Sequence, residues 1–178
     1  LLEPVGGVTE NMSEKPPRRA MYPGTFDPFT NGHLDIAERA AAVFDEIIIA
    51  VATDNRKNPL FSIEERVEMA REACRHLPNV CVEPYSGLTV DFALRAGVAC
   101  LVKGIRAVTD FEYEMQMAMM NRSLSPGLDT VIMVTDARYA FLSSGLIKEV
   151  CSLGGDVSAY VPATVLPQLV ARLQLGRD

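Results

Sequence analysis

The residues best suited to chemistry lie close together in one loop, which spans positions 22–33 and reads Tyr-Pro-Gly-Thr-Phe-Asp-Pro-Phe-Thr-Asn-Gly-His. A short strand is predicted before it, over 19–22, and His33 is expected to open a helix after it. Backbone amides of a glycine-rich loop and of a helix N-terminus converge on one point and favour an anion there. Thr25 adds a hydroxyl, and His33 adds a donor that can carry positive charge near neutral pH. The loop therefore predicts a grip on a phosphate chain, and the alternative is an ordinary turn with a structural cap.

Cations and a hydroxyl follow the other predicted strands. Lys57 lies in a polar loop after the second strand, where it could close over a reacting phosphate or simply belong to a solvated connection. Thr89 follows the third strand, and Lys103 and Arg106 flank a glycine after the fourth. A lysine presents a compact charge, whereas an arginine can bond two phosphate oxygens at once. Their positions at strand ends indicate one rim that binds anions.

Two further segments have both a functional and a structural interpretation. Ser143 and Ser144 precede a predicted helix, either as N-caps or as a second grip on an anion. The helix predicted over 110–122 carries four methionines, a residue type that usually fills a core. These methionines could instead form a flexible apolar wall for an elongated ligand, or a subunit interface.

The order of the elements predicts the fold class. Strands are predicted over 19–22, 46–53, 80–83, 99–103 and 130–134, and helices over 62–76, 88–96, 110–122, 143–152 and 163–173, besides the one that His33 opens. Segment 46–53 is a continuous apolar run typical of a strand buried on both faces, and residues 62–65 form a capping box. Alternating strands and helices imply right-handed crossovers, and hence an α/β protein: a single Rossmann-like domain with a five-stranded parallel sheet and helices on both faces. Ligands of such sheets bind beyond the carboxyl ends of the strands, where the polar residues above fall.

Length, charge and cysteine spacing exclude several classes of function. The chain has 178 residues and a net charge of −6, which disfavours a general nucleic-acid surface. No apolar run reaches the about 20 residues that span a bilayer, and no secretory signal is evident, so a cytoplasmic location is expected. The four cysteines lack metal-type pairing, which predicts free thiols and no metal site on the protein itself. Residues 1–17 are expected to form a disordered tail, with Met12 as a candidate natural start, ahead of one domain over 18–178.

Four motifs together resemble the bacterial phosphopantetheine adenylyltransferases, a family of the nucleotidyltransferase superfamily marked by a (His/Thr)-x-Gly-His motif. That motif is found here at 30–33, and the other matches are 22–28, 104–115 and the serine pair at 143–144. The resemblance covers residues 18–173. It implies transfer of the adenylyl group of ATP to 4′-phosphopantetheine, giving dephospho-coenzyme A and pyrophosphate, by direct in-line attack on the α-phosphate. It further implies Mg²⁺ bound with ATP, a homohexamer, and coenzyme A as a feedback ligand.

The resemblance also assigns roles to residues that match the family motifs. His33 and Lys57 take the catalytic positions: the first stabilises the α-phosphate and the second orients the attacking phosphate. The positions implied to bind ATP are Thr25, Phe26, His33, Gly104, Ile105, Arg106, Glu114, Tyr139, Ala140, Phe141, Leu142, Ser143, Ser144 and Gly145. The positions implied to bind 4′-phosphopantetheine are Thr25, Lys57, Thr89, Lys103, Met117 and Asn121.

The sequence departs from the family pattern at two positions, and two other functions stay open. Lys103 stands where many relatives have arginine, so the charge is kept without the two-pronged grip. Gly145 stands where relatives often have serine or threonine, so one hydroxyl is lost. The nearest alternative is another transferase of the superfamily, acting on a pyridine mononucleotide or glycerol phosphate. The alternative from a different class is a nucleotide-binding protein without catalysis.

Overall fold

The computed structural model describes residues 16–53, 58–106 and 108–174. Its centre is a sheet of five strands: β1 (Arg19–Gly24), β2 (Glu46–Ala52), β3 (Val80–Tyr85), β4 (Cys100–Ile105) and β5 (Asp129–Val134). The strands follow the order β3-β2-β1-β4-β5, and every neighbouring pair is parallel. The order reverses at β1, so β1 and β4 border the crevice in which doubly wound sheets bind ligands.

Six α-helices connect and flank the strands: α1 (Asn31–Val43), α2 (Ile63–Ala73), α3 (Thr89–Arg95), α4 (Val108–Leu124), α5 (Ser144–Ser152) and α6 (Leu166–Gln174). Their first turns follow from local chemistry. Thr30 caps α1, Ser62 caps α2 in the predicted capping box with Glu65, and Ser143 caps α5. After α3, Gly97 takes a left-handed conformation with φ of 65°.

The core lies in two layers because successive strand residues point to opposite faces of the sheet. Ala20, Ile47 and Ile49 face the layer that contains buried residues of α1, α2, α5 and α6. Met21 and Ile48 face the other layer, together with buried residues of α3. Helices therefore cover both faces of the sheet, as the sequence predicts.

The predicted elements are all present, with shifted ends. The strand predicted over 80–83 continues through Pro84 to Tyr85, because β3 is an edge strand and an edge tolerates a proline without a free N–H. The last helix begins at Leu166 instead of 163, since residues 163–165 form a turn in which Val165 donates to the carbonyl of Pro162. The helix predicted over 62–76 ends at Ala73. Residues 1–15 of the predicted tail lie outside the described residues.

Candidate active site

A cavity of about 730 Å³ opens at the carboxyl ends of the strands. Gly24 at the end of β1, Ala52 at the end of β2 and Tyr85 at the end of β3 line it, as does Gly104 near the end of β4. The first turns of α1 and α5 also line it. This is the place where parallel sheets bind ligands, and two helix N-termini add positive potential to it.

The loop between β1 and α1 is held by close packing and by one buried carboxylate. A Cβ on Gly24 would lie 2.7 Å from Cζ of Phe26, so only glycine fits there. Phe26 itself adopts φ of 50°, a left-handed conformation that is uncommon outside glycine. Asp27 is buried and accepts hydrogen bonds from the backbone N–H groups of Leu60, at 2.9 Å, and Phe61, at 3.0 Å. The loop is therefore fixed before any ligand binds.

His33 stands at the third position of α1, in a capping box with Thr30. The backbone N–H of Thr30 donates to Nδ1 of His33 over 3.0 Å. A backbone N–H can only donate, so Nδ1 must accept, and the proton of the neutral ring lies on Nε2. The half-buried ring lines the cavity and packs against Phe26 and Phe29, with centroid separations of 5.0 and 5.5 Å. The imidazole thus has one donor left for a ligand.

The charge of His33 differs from the sequence prediction. Burial among aromatic rings, with a smaller contribution from the Arg106 guanidinium, lowers the pKa of His33 from 6.5 to about 4. The prediction of a positively charged donor near neutral pH is therefore wrong for the protein without ligand. The neutral Nε2–H group can still donate a hydrogen bond to a phosphate oxygen.

Three cations of the described part of the chain line the cavity, and each has a partner that holds it in place. The Lys103 ammonium lies 3.2 Å from a carboxylate oxygen of Glu114. Nε of Arg106 donates to Asp110 over 2.9 Å, and another of its nitrogens donates to the backbone carbonyl of Leu142. The third cation, Lys148 on α5, forms an ion pair with Asp27, the buried carboxylate of the first loop. These side chains are positioned in advance, which lowers the entropic cost of binding an anion.

The serine pair of α5 acts differently from the predicted second grip on an anion. The Ser143 hydroxyl accepts from the N–H of Leu146 over 3.0 Å, as an N-cap does. The Ser144 hydroxyl donates to the carbonyl of Pro28 over 2.9 Å and so ties α5 to the first loop. Both hydroxyls already take part in structural hydrogen bonds, which agrees with the N-cap interpretation. What α5 presents to the cavity is its N-terminus, where Gly145 also lies.

Most residues predicted for the site line the one cavity. They are Thr25, Phe26, His33, Thr89, Lys103, Gly104, Arg106, Glu114, Met117, Tyr139, Leu142, Ser143, Ser144 and Gly145. Four others do not line it: Ile105, Ala140, Phe141 and Asn121. The half-exposed Phe141 packs edge-on against Tyr160. Asn121 is buried one turn beyond Met117, and Lys57 lies outside the described residues.

Sequence reasoning missed the third cation, Lys148, and its carboxylate partner Asp27. A signal for the lysine existed, because Lys148 lies four residues after Ser144 and therefore on the same face of α5. Of the interpretations left open for the methionines of α4, core filling does not hold for all four: Met119 is 66% and Met120 57% exposed, whereas Met117 lines the cavity. No cluster of three potential metal ligands occurs among the described residues. No helix within the described ranges has both the length and the apolar character to cross a membrane.

Comparisons with known proteins agree with this geometry. A family model described as cytidylyltransferase-like matches residues 21–150. A phosphopantetheine adenylyltransferase of Heliobacterium modesticaldum is 54% identical over 86% of this chain and 91% of its own length. Proteins of the same name from Desulforudis audaxviator and Moorella thermoacetica are 53% and 52% identical, over 90% and 96% of their lengths.

The chain belongs to the phosphopantetheine adenylyltransferase family. Solved structures of more distant relatives share its fold. One from Vibrio parahaemolyticus, provisionally named a nicotinate-nucleotide adenylyltransferase, superposes with a TM-score of 0.63 at 17% identity, over 85% of this chain and 97% of that one. A lipopolysaccharide core biosynthesis protein of Thermoplasma volcanium gives 0.50 at 21% identity, over 68% of this chain and 98% of that one. At these identities the likeness concerns the fold alone.

Proposed function

We propose that the protein transfers the adenylyl group of ATP to 4′-phosphopantetheine and releases dephospho-coenzyme A and pyrophosphate, a reaction of coenzyme A synthesis. The observation that carries this assignment is the high identity to phosphopantetheine adenylyltransferases over nearly their whole length. The cavity adds physical support, because it combines two helix N-termini with several fixed cations and one neutral imidazole donor.

The chemistry needs no nucleophilic side chain. An oxygen of the 4′-phosphate forms a bond to the α-phosphorus of ATP, and the bond from that phosphorus to the bridging oxygen of the leaving pyrophosphate breaks. The main obstacle is repulsion between two anions, so catalysis rests on positioning and on donors directed at the α-phosphate. We assign the Nε2–H group of His33 to an α-phosphate oxygen, as the residue that stabilises the charge developing there.

The cations would bind the attacking phosphate and the leaving phosphates. Lys103, held near Glu114, is assigned to the phosphate of 4′-phosphopantetheine, and Arg106 to the β- and γ-phosphates of ATP. The Thr25 hydroxyl, in the first loop, would contact the two reacting phosphates. Lys57 keeps its proposed role of orienting the attacking phosphate. Each assignment predicts a loss of substrate affinity or turnover when the side chain is removed.

Magnesium would enter with ATP as part of the substrate. The described residues provide no cluster of metal ligands, whereas the phosphates of ATP are the oxygen ligands that Mg²⁺ prefers. The ion would neutralise charge on the leaving pyrophosphate. The protein's contribution is to hold the phosphate oxygens.

Assembly and regulation are further parts of the proposal. Apolar residues lie on two sides of α4, and Tyr113, Met119 and Met120 are largely exposed. A helix of this kind is usually covered on both faces, which supports a homo-oligomer, and family membership favours a hexamer. Light scattering coupled to gel filtration tests this, with Met119→Glu expected to dissociate the assembly. Coenzyme A contains the same pantetheine arm as 4′-phosphopantetheine, so we expect it to inhibit the enzyme by competition at the same cavity. We also propose that the enzyme is cytoplasmic.

Incubation with ATP, Mg²⁺ and 4′-phosphopantetheine, followed by mass analysis, tests the function directly. The proposal predicts dephospho-coenzyme A and an equal amount of pyrophosphate. Nicotinate mononucleotide and glycerol phosphate serve as competing acceptors and should give no adenylylated product. ATP binding without pyrophosphate release from any acceptor would instead favour a nucleotide-binding protein without catalysis.

A further inference from the structure

Arg66, on the first turns of α2, is completely buried. Its guanidinium donates to three backbone carbonyls. Nη1 donates to Thr25 over 2.7 Å and to Ala52 over 2.8 Å, and Nε donates to Phe61 over 3.2 Å. One side chain thus joins the first loop of the site, the last residue of β2 and the residue before the N-cap of α2.

A carboxylate of the first loop, Asp27, binds the same backbone segment as Arg66 does. Asp27 accepts the backbone N–H of Phe61, whereas Arg66 donates to the carbonyl of that residue. Asp27 further pairs with Lys148, which lines the cavity. Arg66 and Asp27 therefore fix the first loop at two points, Thr25 and Asp27 itself, against one backbone segment.

Burial of this guanidinium has a large desolvation cost, so a contribution to stability does not by itself explain the residue. None of the described carboxylates forms an ion pair with Arg66, and its Nη2 has no hydrogen-bond partner among the described residues. Burial lowers the pKa of Arg66, which is the expected sign of an incompletely compensated charge. Replacing buried charged groups by apolar ones of similar volume is often neutral or stabilising. The feature that an apolar residue could not reproduce is the simultaneous hold on three carbonyls.

We infer that Arg66 is a positioning residue for adenylyl transfer, which sets the place of Thr25 relative to the end of β2 through its carbonyl hydrogen bonds. The inference rests on the proposed function, because the Thr25 hydroxyl is assigned there to the two reacting phosphates. Arg66 itself does not touch the substrates. A misplacement of about 1 Å in such a group can lower the rate about 10²-fold.

The test compares two substitutions of Arg66 with a matched control. Arg66→Lys keeps the charge but cannot reach three carbonyls, and Arg66→Met keeps the bulk. Arg71→Met is the control, since Arg71 lies on the same helix and donates to a carbonyl of β3, Val82, over 3.1 Å. We expect kcat per folded molecule to fall about 10- to 100-fold in both Arg66 variants, with the KM for ATP changed less than about threefold, the lysine variant being the milder one. The control should keep its kcat.

A merely structural role would lower the melting temperature and leave kcat per folded molecule unchanged, and that result would overturn the inference. A double-mutant cycle with Thr25→Ala adds a second criterion. If Arg66 acts through Thr25, the two effects on kcat/KM are strongly non-additive, and additive effects would contradict the inference.

A measurement on the unmodified protein covers the case in which both Arg66 variants fail to fold. Binding of a non-hydrolysable ATP analogue should shift the Nε–H resonance of Arg66 in a nitrogen–proton NMR spectrum and leave that of Arg71 in place. An unchanged Arg66 resonance in the saturated complex would overturn the inference. A missing dephospho-coenzyme A product in the unmodified protein would refute the proposed function alone, since the NMR result depends only on ATP binding.

Discussion

Replacement of His33 by alanine should lower turnover by two to three orders of magnitude while the protein stays folded. The Nδ1 atom of His33 accepts from the N–H of Thr30 over 3.0 Å, so the only free donor of the neutral ring is Nε2–H. Loss of one donor directed at developing negative charge typically costs about 10²–10³ in kcat, or about 2.7–4 kcal/mol of transition-state stabilisation. ATP binding should weaken far less, since the other contacts remain.

The cost to folding should be smaller than the cost to catalysis. The substitution removes one hydrogen bond, from the N–H of Thr30, which is worth about 1 kcal/mol, and part of the ring packing. The Thr30 hydroxyl can still cap the helix through the backbone N–H of residue 33. The summed loss of stability stays below the free energy of unfolding of a typical domain, about 5–15 kcal/mol. Circular dichroism and urea unfolding would measure it.

His76→Ala is the matched control, because the chain has two histidines. His76 does not line the cavity, and its ring forms an exposed pair with Glu38 at 2.8 Å. An exposed pair contributes about 0–1 kcal/mol to stability. Initial rates with pyrophosphate detection should therefore match the unmodified enzyme for His76→Ala and collapse for His33→Ala. Near-normal turnover in folded His33→Ala would refute the role given to this residue.

The depressed pKa of His33 adds a pH dependence with a definite sign. The folded protein holds His33 with a pKa of about 4, below its ordinary value of 6.5, so the unfolded chain binds the proton more readily. Stability from this group is complete above pH 6.5 and is lost as the pH falls toward 4, by as much as about 3 kcal/mol. His33→Ala should lose less stability over this range. An NMR titration that gave His33 a pKa near 6.5 in the free protein would contradict the burial argument.

Three other substitutions test the packing and the departures from the family pattern. Gly104→Ala should destabilise the fold by about 1–3 kcal/mol, because the new Cβ would lie 2.9 Å from Cγ1 of Ile36. Thermal unfolding measures this loss, and an unchanged melting temperature would contradict the packing. Gly145→Ser should fold normally, since the nearest atom to its Cβ is 3.8 Å away, and lower the KM for ATP about fivefold, the worth of one hydrogen bond; a raised KM would count against an ATP site at α5. Lys103→Arg should lower the KM for 4′-phosphopantetheine by a similar factor through a two-pronged contact, and no change would argue against this lysine as the phosphate ligand.

The fold could be predicted from the sequence to the extent that local patterns determine it. The apolar run of β2 and the capping box at Ser62 specify their elements without tertiary information. The strand order could not be read from these patterns, because parallel strands pair through crossovers that leave no local signal. The bounds of β3 depended on its place at the sheet edge, where Pro84 is tolerated.

The candidate site was predictable in position and less so in chemistry. Residues at the carboxyl ends of parallel strands must meet, so Thr25, Lys103 and Arg106 were placed correctly along one rim. The ionisation state of His33 was not predictable, because it follows from aromatic neighbours that only the folded chain brings together. In the same way the Ser144 hydroxyl is engaged by a carbonyl far away in sequence.

The assigned role of His33 is tested most sharply by a crystal structure with the α,β-methylene analogue of ATP and 4′-phosphopantetheine. We expect the triphosphate and the 4′-phosphate in the cavity at the carboxyl ends of the strands, with Nε2 of His33 within hydrogen-bond distance, about 3 Å, of an α-phosphate oxygen. An imidazole far from any phosphate, or a triphosphate bound elsewhere on the protein, would contradict it.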